Sequence, residues 1–596
     1  MRLLVVVFFL ACAASLVAAD GGGGTKCAAC GIVVGLLEEK QVKSFEVSLI
    51  LDLLCSGNSA CKAQKKAAKS MIESQASPDD VCGKTLGLCA TSCKLFGTWP
   101  LNSLPPAPPQ DPKNKGRRRT SSVSEKMMHL KEISRQMEED SESFKDDFYG
   151  MVKFLQRLFV AGPGRKSALD KAVEAASRAN LDSHPCGSNF TCIKDRFLQY
   201  HLPVSDTDGD AFATVKNRGL RGSHFRGADC DDRNGDIYPG RKTPPNDHSV
   251  DHDCNGINGA NASGAFEDMF CSGTERRGII HIGDSATAHF HIPPQWLTAN
   301  GWNIHNVVPN GLDELDQPAC AWGTGYRNYS QCPYAPHTFE GHSIAERLRE
   351  RNLCNHRDFQ NIGVNGARTT AMAPLVVSAA RDRTLDHPAL VIYSPIGNDV
   401  CNGHPGTSHM TPPQVFHDNV LSQLQALDAK LPPTSYVQLI GMVDGRVLWN
   451  NMHNRTHPLG TRYEDVYSYL NCAGCNPCRG WLNTNETIRN ETTKWAQSLN
   501  QEYVRILKED APGFKNIKVS YFDPDWNQFV AEYVKAGGIA SDVIEPSDGF
   551  HPSQLGNELL AKVIWEHMEK NFPEALGKVN PYNDQIKAMF GDQGGF

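Results

Sequence analysis

The chain has 596 residues, 40% of them hydrophobic and 21% charged, and a formal net charge of −7. That length calls for two or more domains, and so mild a charge gives no sign of a nucleic-acid partner. Apart from its first residues, no stretch is apolar for long enough to span a membrane, so the mature chain is expected to be soluble.

Residues 1–19 read as a secretory signal peptide: Arg2, an apolar run from Leu3 to Val17, then small residues at Ala18 and Ala19. Secretion changes how the cysteines read. Of twenty, only Cys12 lies in the leader, and the remaining nineteen should pair in an oxidising compartment with one left over. N-x-S/T sequons at Asn189, Asn261, Asn328, Asn454, Asn485 and Asn490 suit a secretory glycoprotein and leave the N-terminal part bare.

Residues 24–96 form a cysteine-rich unit with Cys27, Cys30, Cys55, Cys61, Cys82, Cys89 and Cys93. Between the cysteines, "IVVGLLEEKQVKSFEVSLILDLLC" and "SACKAQKKAAKSMIESQ" carry helical patterning, which predicts a small all-α module stapled by disulfides. This pattern resembles the saposin B-type family. The resemblance implies lipid binding and the pairs Cys27–Cys89, Cys30–Cys82 and Cys55–Cys61, with Cys93 left over. Lys62, Lys65, Lys66 and Lys69 could meet anionic headgroups or form a solvated helix face.

Residues 97–125 are rich in Pro, Ser and basic residues and read as an extended linker, with Arg117-Arg118-Arg119 an exposed site for proteolytic processing. Cys93 would then tether the small piece to the large one, through Cys472, Cys475 or Cys478. The Cys-x2-Cys-x2-Cys spacing could also bind zinc, which a secreted protein disfavours. Residues 126–200 read as mostly helical, with Cys186 and Cys192 bridged, and carry no evident chemistry.

Residues 201–260 hold ten aspartates and no glutamate between Asp206 and Gly256. Asp206-x-Asp208-x-Asp210 converges three carboxylates on one turn, and Asp229, Asp231, Asp232, Asp236, Asp247, Asp251 and Asp253 supply further hard oxygens. Carboxylates packed this densely repel unless neutralised, which points to structural Ca²⁺, two or more ions. The segment departs from an EF-hand, since Ala211 stands at the glycine position and Asn217 at the closing glutamate.

From residue 275 to 575, buried-strand runs alternate with helices: "GIIHIGD", "FQNIGV", "PALVIYSPI", "SYVQLIGMV" and "IKVSYF". That alternation predicts a three-layer α/β fold, flavodoxin-like, around a parallel sheet. Its sites should gather at the carboxyl ends of the strands. Ser285 ends the first strand, Gly366 follows the second, Asn398 follows the third, and Asp548 stands three residues before His551. A hydrolytic serine needs a base and an orienting carboxylate. It also needs oxyanion donors, each worth about 3 kcal/mol. The backbone N–H groups of Ser285 and Gly366 and the Asn398 amide would serve. The α/β-hydrolase elbow is absent, because Thr287 replaces the second glycine of G-x-S-x-G.

These blocks resemble the GDSL/SGNH hydrolases, which implies Ser285, His551 and Asp548 as a triad. A saposin-like module, an aspartate-rich segment and an SGNH hydrolase in this order are similar to the acyloxyacyl hydrolase family. "GDSATAHFHIPPQW" and "HFRGADCDD…IYPGR" carry that likeness further. The resemblance implies an esterase that removes secondary fatty acyl chains from lipid A of bacterial lipopolysaccharide. It implies too a precursor cleaved into disulfide-joined subunits, secreted or lysosomal, acting at a micelle or membrane surface. A general phospholipase on the same scaffold, a carbohydrate esterase and a non-catalytic lipid carrier are the competing readings. His289 and His291 either contact substrate or pack structurally. Residues 576–596 read as a C-terminal tail.

Overall fold

The computed structural model describes parts of 27–95 and most of 202–595; residues 1–26, 96–201, 293–314 and 327–341 apart from Cys332 lie outside the described residues. The expected signal peptide, linker, helical segment 126–200, Cys93, Cys186, Cys192, Cys475, Asn189 and Asn328 therefore fall outside them.

Five parallel strands form the central sheet: β1 (Gly278–Gly283), β2 (Phe359–Gly363), β3 (Ala389–Ser394), β4 (Ser435–Ile440) and β5 (Ile517–Phe522). Each lies in one of the five apolar runs. Their spatial order is β2-β1-β3-β4-β5, the flavodoxin-like winding. The order reverses at β1, so the crevice of the sheet opens between β1 and β3 at their carboxyl ends.

Alternate residues of each strand serve opposite layers. Ile280, Ile282, Val391, Tyr393, Val437 and Leu439 pack with Phe416, Val420 and Leu424 of one long helix and Leu499, Tyr503 and Ile506 of another. On the other face Ile279, Leu390, Ile392 and Ile440 meet Ile344 and Leu348, and Leu560, Ile564 and Met568. Among the described residues, nine helices frame the sheet and its loops: α1 (Ser285–Ala288), α2 (Ile344–Arg351), α3 (Met372–Ser378), α4 (Pro413–Lys430), α5 (Arg446–Met452), α6 (Tyr463–Ala473), α7 (Glu486–Glu509), α8 (Trp526–Lys535) and α9 (Gln554–Asn571). Capping side chains set several starts: Ser343 accepts from Glu346 N–H, Asn485 from Thr487 N–H and Ser553 from Gly556 N–H.

The aspartate-rich segment is fastened to the sheet rather than hung from it. Arg226 bridges to Gln360 in antiparallel fashion, Gly227 N–H donates to Phe359 O at 3.0 Å, and Asn361 N–H to Phe225 O at 2.6 Å. The segment therefore covers the outer edge of β2. Gly227 is required there, since a Cβ would stand 1.6 Å from Arg357 O. A Cys230–Cys254 disulfide closes the loop. Within 576–595 lies a packed helix: in Asn583–Phe590, Ile586 and Phe590 join Phe266 and Phe270 in a small core. Tyr582, Ile586 and Phe590 recur every fourth residue, the spacing of one helix face.

In the N-terminal unit, disulfides join Cys27–Cys89, Cys30–Cys82 and Cys55–Cys61, the pairs implied by the saposin-like pattern. They enclose Val34, Leu51, Ala68, Ile72, Val81 and Leu86. In the body, Cys271–Cys354, Cys320–Cys332 and Cys401–Cys478 are bonded. Cys478 is thus committed to Cys401, while Cys472 is disulfide-bonded to a partner outside the described residues. No helix among the described residues is long and apolar enough to cross a membrane.

Candidate active site

Strand β1 stops at Gly283, and α1 begins two residues later. Asp284 makes that turn possible by capping the helix, its Oδ1 accepting from Ala286 N–H at 3.0 Å. Two glycines let α1 lie close: a Cβ on Gly283 would stand 2.1 Å from Thr287 Oγ1, and one on Gly363 2.5 Å from Ala288 N. His289 ends α1 in the left-handed conformation, φ 57°. Ser285, the first residue of α1, is held at the mouth of the crevice with 8% of its surface exposed.

His551 Nε2 lies 2.8 Å from Ser285 Oγ, and His551 Nδ1 lies 2.6 Å from Asp548 Oδ2. Ser285 and His551 are 266 residues apart in sequence. Asp548 Oδ1 accepts from the N–H groups of Phe550 and His551. Burial pushes the Asp548 carboxyl up, but the imidazole and these N–H donors outweigh it and hold the group below the usual carboxylate range. Phe290 and Phe550 flank the imidazole with ring centroids 4.7 and 4.8 Å away. The arrangement can move a proton from serine to imidazole and stabilise the imidazolium formed.

Strand register brings the other two blocks to the same edge. Gly283 pairs with Gly363 on one side and Ser394 on the other. Gly366, at φ 74°, and Asn398 therefore follow the ends of the two strands that flank β1. Buried carboxylates pin these loops together. Asp284 Oδ2 accepts from Gly397 N–H at 3.2 Å. Asp399 accepts from Thr369 N–H at 3.0 Å and Thr369 Oγ1 at 2.7 Å, tying the Asn398 turn to the loop after Gly366. Burial pushes Asp284 up to about 6 and raises Asp399 as well.

Sequence patterning did not single out the residues that hold the 545–551 loop. Tyr463 donates to Pro546 O at 2.5 Å, Tyr467 to Gly549 O at 2.7 Å, and His457 Nε2 lies 3.0 Å from Ser547 O. The signal available was "YEDVY", two tyrosines at i, i+4 on one helix face. His291 and His289 both pack inside the protein: His291 Nδ1 lies 2.6 Å from Glu545 Oε2, and burial lowers His289 to about 3.

Of the ten aspartates, Asp206, Asp208 and Asp210 bring their oxygens within 4.8 Å of one another. Asp229 adjoins them, and its charge helps raise Asp210. Burial, with the neighbouring carboxylates, raises Asp210 to about 8 and Asp229 to about 7. One oxygen each of Asp208, Asp210 and Asp229 is buried without a hydrogen-bond partner. Such orphaned oxygens fit a hard cation. Cys230 and Cys254 adjoin Asp229, but their disulfide removes them as ligands. Five of the six remaining carboxylates have other partners, and Asp231 is tied to Asp229 only through its backbone N–H. Asp232 accepts from Thr207, Asp236 pairs with Arg241, Asp247 with His252 and Asp253 with Arg276. Asp251 accepts from Asn255 and Gly256 N–H.

A parallel sheet wound in this order, with a Ser–His–Asp chain at its switch point and loops after both flanking strands, defines a GDSL-type hydrolase. Residues 279–564 match the GDSL-like Lipase/Acylhydrolase family, and the protein is an ester-hydrolysing enzyme. The chain is 42% identical over 410 residues to acyloxyacyl hydrolase of Oryctolagus cuniculus, covering 67% of this chain and 70% of that protein. It is 39% identical over 451 residues to the enzyme of Mus musculus, covering 72% and 77%, and 40% identical over 409 residues to that of Homo sapiens, covering 67% and 69%. It belongs to the acyloxyacyl hydrolase family.

The His457 clamp yields a pH test. Leu459 N–H donates to His457 Nδ1, so Nε2 carries the proton that faces Ser547 O. Burial lowers His457 from 6.5 to about 4. Between those values the unfolded chain takes up a proton that the folded one refuses, so stability falls as pH falls through that window. From pH 7 to 5 the wild type should lose about 2 kcal/mol that His457→Gln does not. Urea denaturation at both pH values checks this; equal losses in the two proteins would refute it.

Proposed function

We propose that this enzyme removes fatty acyl chains esterified to the hydroxyls of other acyl chains on lipid A of bacterial lipopolysaccharide. The observation that carries the reading is the hydrogen-bonded Ser285–His551–Asp548 chain, 2.8 and 2.6 Å between successive partners, in a chain whose relatives are named acyloxyacyl hydrolases.

His551 Nε2 takes the Ser285 proton as Oγ attacks the ester carbonyl, and Asp548 stabilises the imidazolium. The oxyanion rests on the N–H groups of Ser285 and Gly366 and the Asn398 amide. His551 then returns its proton to the leaving hydroxyl of the underlying acyl chain. Water, deprotonated by His551, attacks the acyl-enzyme and releases the fatty acid, restoring Ser285.

The N-terminal unit acts in this reading as a saposin B-type lipid-binding module that presents acyl chains from a micelle or membrane. The enzyme is secreted or lysosomal, and cleavage within 97–125 leaves two subunits joined through Cys93. Cys472 or Cys475 is the receiving partner, because Cys478 is bonded to Cys401. Calcium is structural, held by Asp206, Asp208, Asp210 and Asp229, where its charge offsets the repulsion between buried carboxylates.

Ser285→Ala should lower kcat by roughly 10⁴-fold or more while the fold persists. Asn398→Ala should lower it by about 10²–10³-fold. Mass spectrometry of fatty acids released from purified lipopolysaccharide and from phospholipid checks both. Release from phospholipid alone would favour a general lipid esterase, and full activity of Ser285→Ala would remove the nucleophile assignment. Chelation should lower the Tm, with recovery on adding Ca²⁺, and Asp229→Asn should blunt that response; an unchanged Tm would exclude a structural ion.

A further inference from the structure

Helix α6 touches the catalytic loop on one side and the N-terminal unit on the other. Tyr463 and Tyr467 are four residues apart and share a face, from which their hydroxyls hold Pro546 O and Gly549 O at 2.5 and 2.7 Å. At about 100° per residue, Tyr469 lies on the opposite face. Its hydroxyl donates to Cys27 O at 2.7 Å, a carbonyl of the N-terminal unit reached across 442 residues. The contact is close-fitting: a Cβ on Gly31 would stand 2.3 Å from the Tyr469 hydroxyl oxygen. The turn before α6 repeats the pattern, with His457 against Ser547 O at 3.0 Å and Thr461 Oγ1 against Leu95 O at 3.5 Å.

All of these side chains but Thr461 are buried, and Tyr469 is 1% exposed. Short hydrogen bonds at both faces leave α6 little freedom to shift without moving both partners. The loop it holds carries Asp548 and His551, and the Ser285–His551 contact depends on that loop's place.

We infer that the N-terminal unit helps to set the rate of the chemical step by seating α6 through Tyr469, and so positioning His551 against Ser285. Tyr469 is a positioning residue, since it acts only through α6 and the 545–551 loop. This role is separate from lipid presentation and rests on ester hydrolysis alone, not on lipid A as the substrate.

The test uses the full chain with Tyr469→Phe and, separately, Gly31→Ala. The first removes one hydroxyl and keeps the ring. The second improves helix propensity by about 1 kcal/mol, so a loss of activity cannot come from a weakened helix. Activity is read on a water-soluble short-chain p-nitrophenyl ester below its aggregation limit, where no lipid need be lifted from a surface, and on lipopolysaccharide micelles. Displacing a catalytic group by a fraction of an ångström should lower kcat about tenfold on the soluble ester, with KM unchanged, in both variants. Tm is measured alongside, and kcat is taken where both variants remain fully folded. Unchanged kcat on the soluble ester would overturn the proposal, whether or not micellar activity falls. Failure of lipopolysaccharide hydrolysis by the wild type would overturn the substrate reading and leave this one standing.

Discussion

The site depends on how closely a four-residue helix can lie against the ends of two strands. Without a Cβ on Gly283 or Gly363, α1 turns off β1 at once, and Ser285 stands where the winding of the sheet reverses. A side chain at either position would meet α1 at 2.1 or 2.5 Å and force it away from the place where it holds Ser285. The loops that follow β2 and β3 are then drawn to the same place by strand register, which costs nothing beyond forming the sheet.

Buried carboxylates supply the second layer of order. Asp284 and Asp399 each accept an N–H from a loop other than their own, so the turn after β1 is tied to the loop after β3, and that loop to the one after β2. A charged group so deeply placed is costly unless fully hydrogen-bonded, and that cost makes the arrangement specific. His281, Thr287 and Ser394 form a comparable neutral network beneath α1, with Trp322 edge-on to the imidazole at 4.1 Å.

The parts of this design legible in the sequence are those with local signatures. Five apolar runs gave five strands because buried parallel strands need continuous apolar residues, and Gly-Asp-Ser, Asn398 and Asp548-x-x-His551 stand where strands end or a helix begins. The clamps on the 545–551 loop had no such signature. Tyr463 and Tyr467, four residues apart, would suit any helix face, and His291 could not be matched to Glu545 across 254 residues. The aspartates announced themselves by density, but not that the segment beside them would pair with β2. Nor did the last residues show that Ile586 and Phe590 would bury against Phe266 and Phe270, because one helix face is informative only when its partner is known.

The two edges of the sheet are protected by different means. At β5 an exposed Lys518 and a mostly half-buried strand discourage further pairing. At β2 every residue is buried, and protection comes from residues 225–227 lying along it. Left uncovered, the unpaired backbone along this strand would be open to intermolecular pairing. The aspartate-rich segment thus closes an edge that would otherwise be free to pair. A lesion that merely loosened it would show first as fibrous or amorphous assembly, with the catalytic centre still intact inside each subunit.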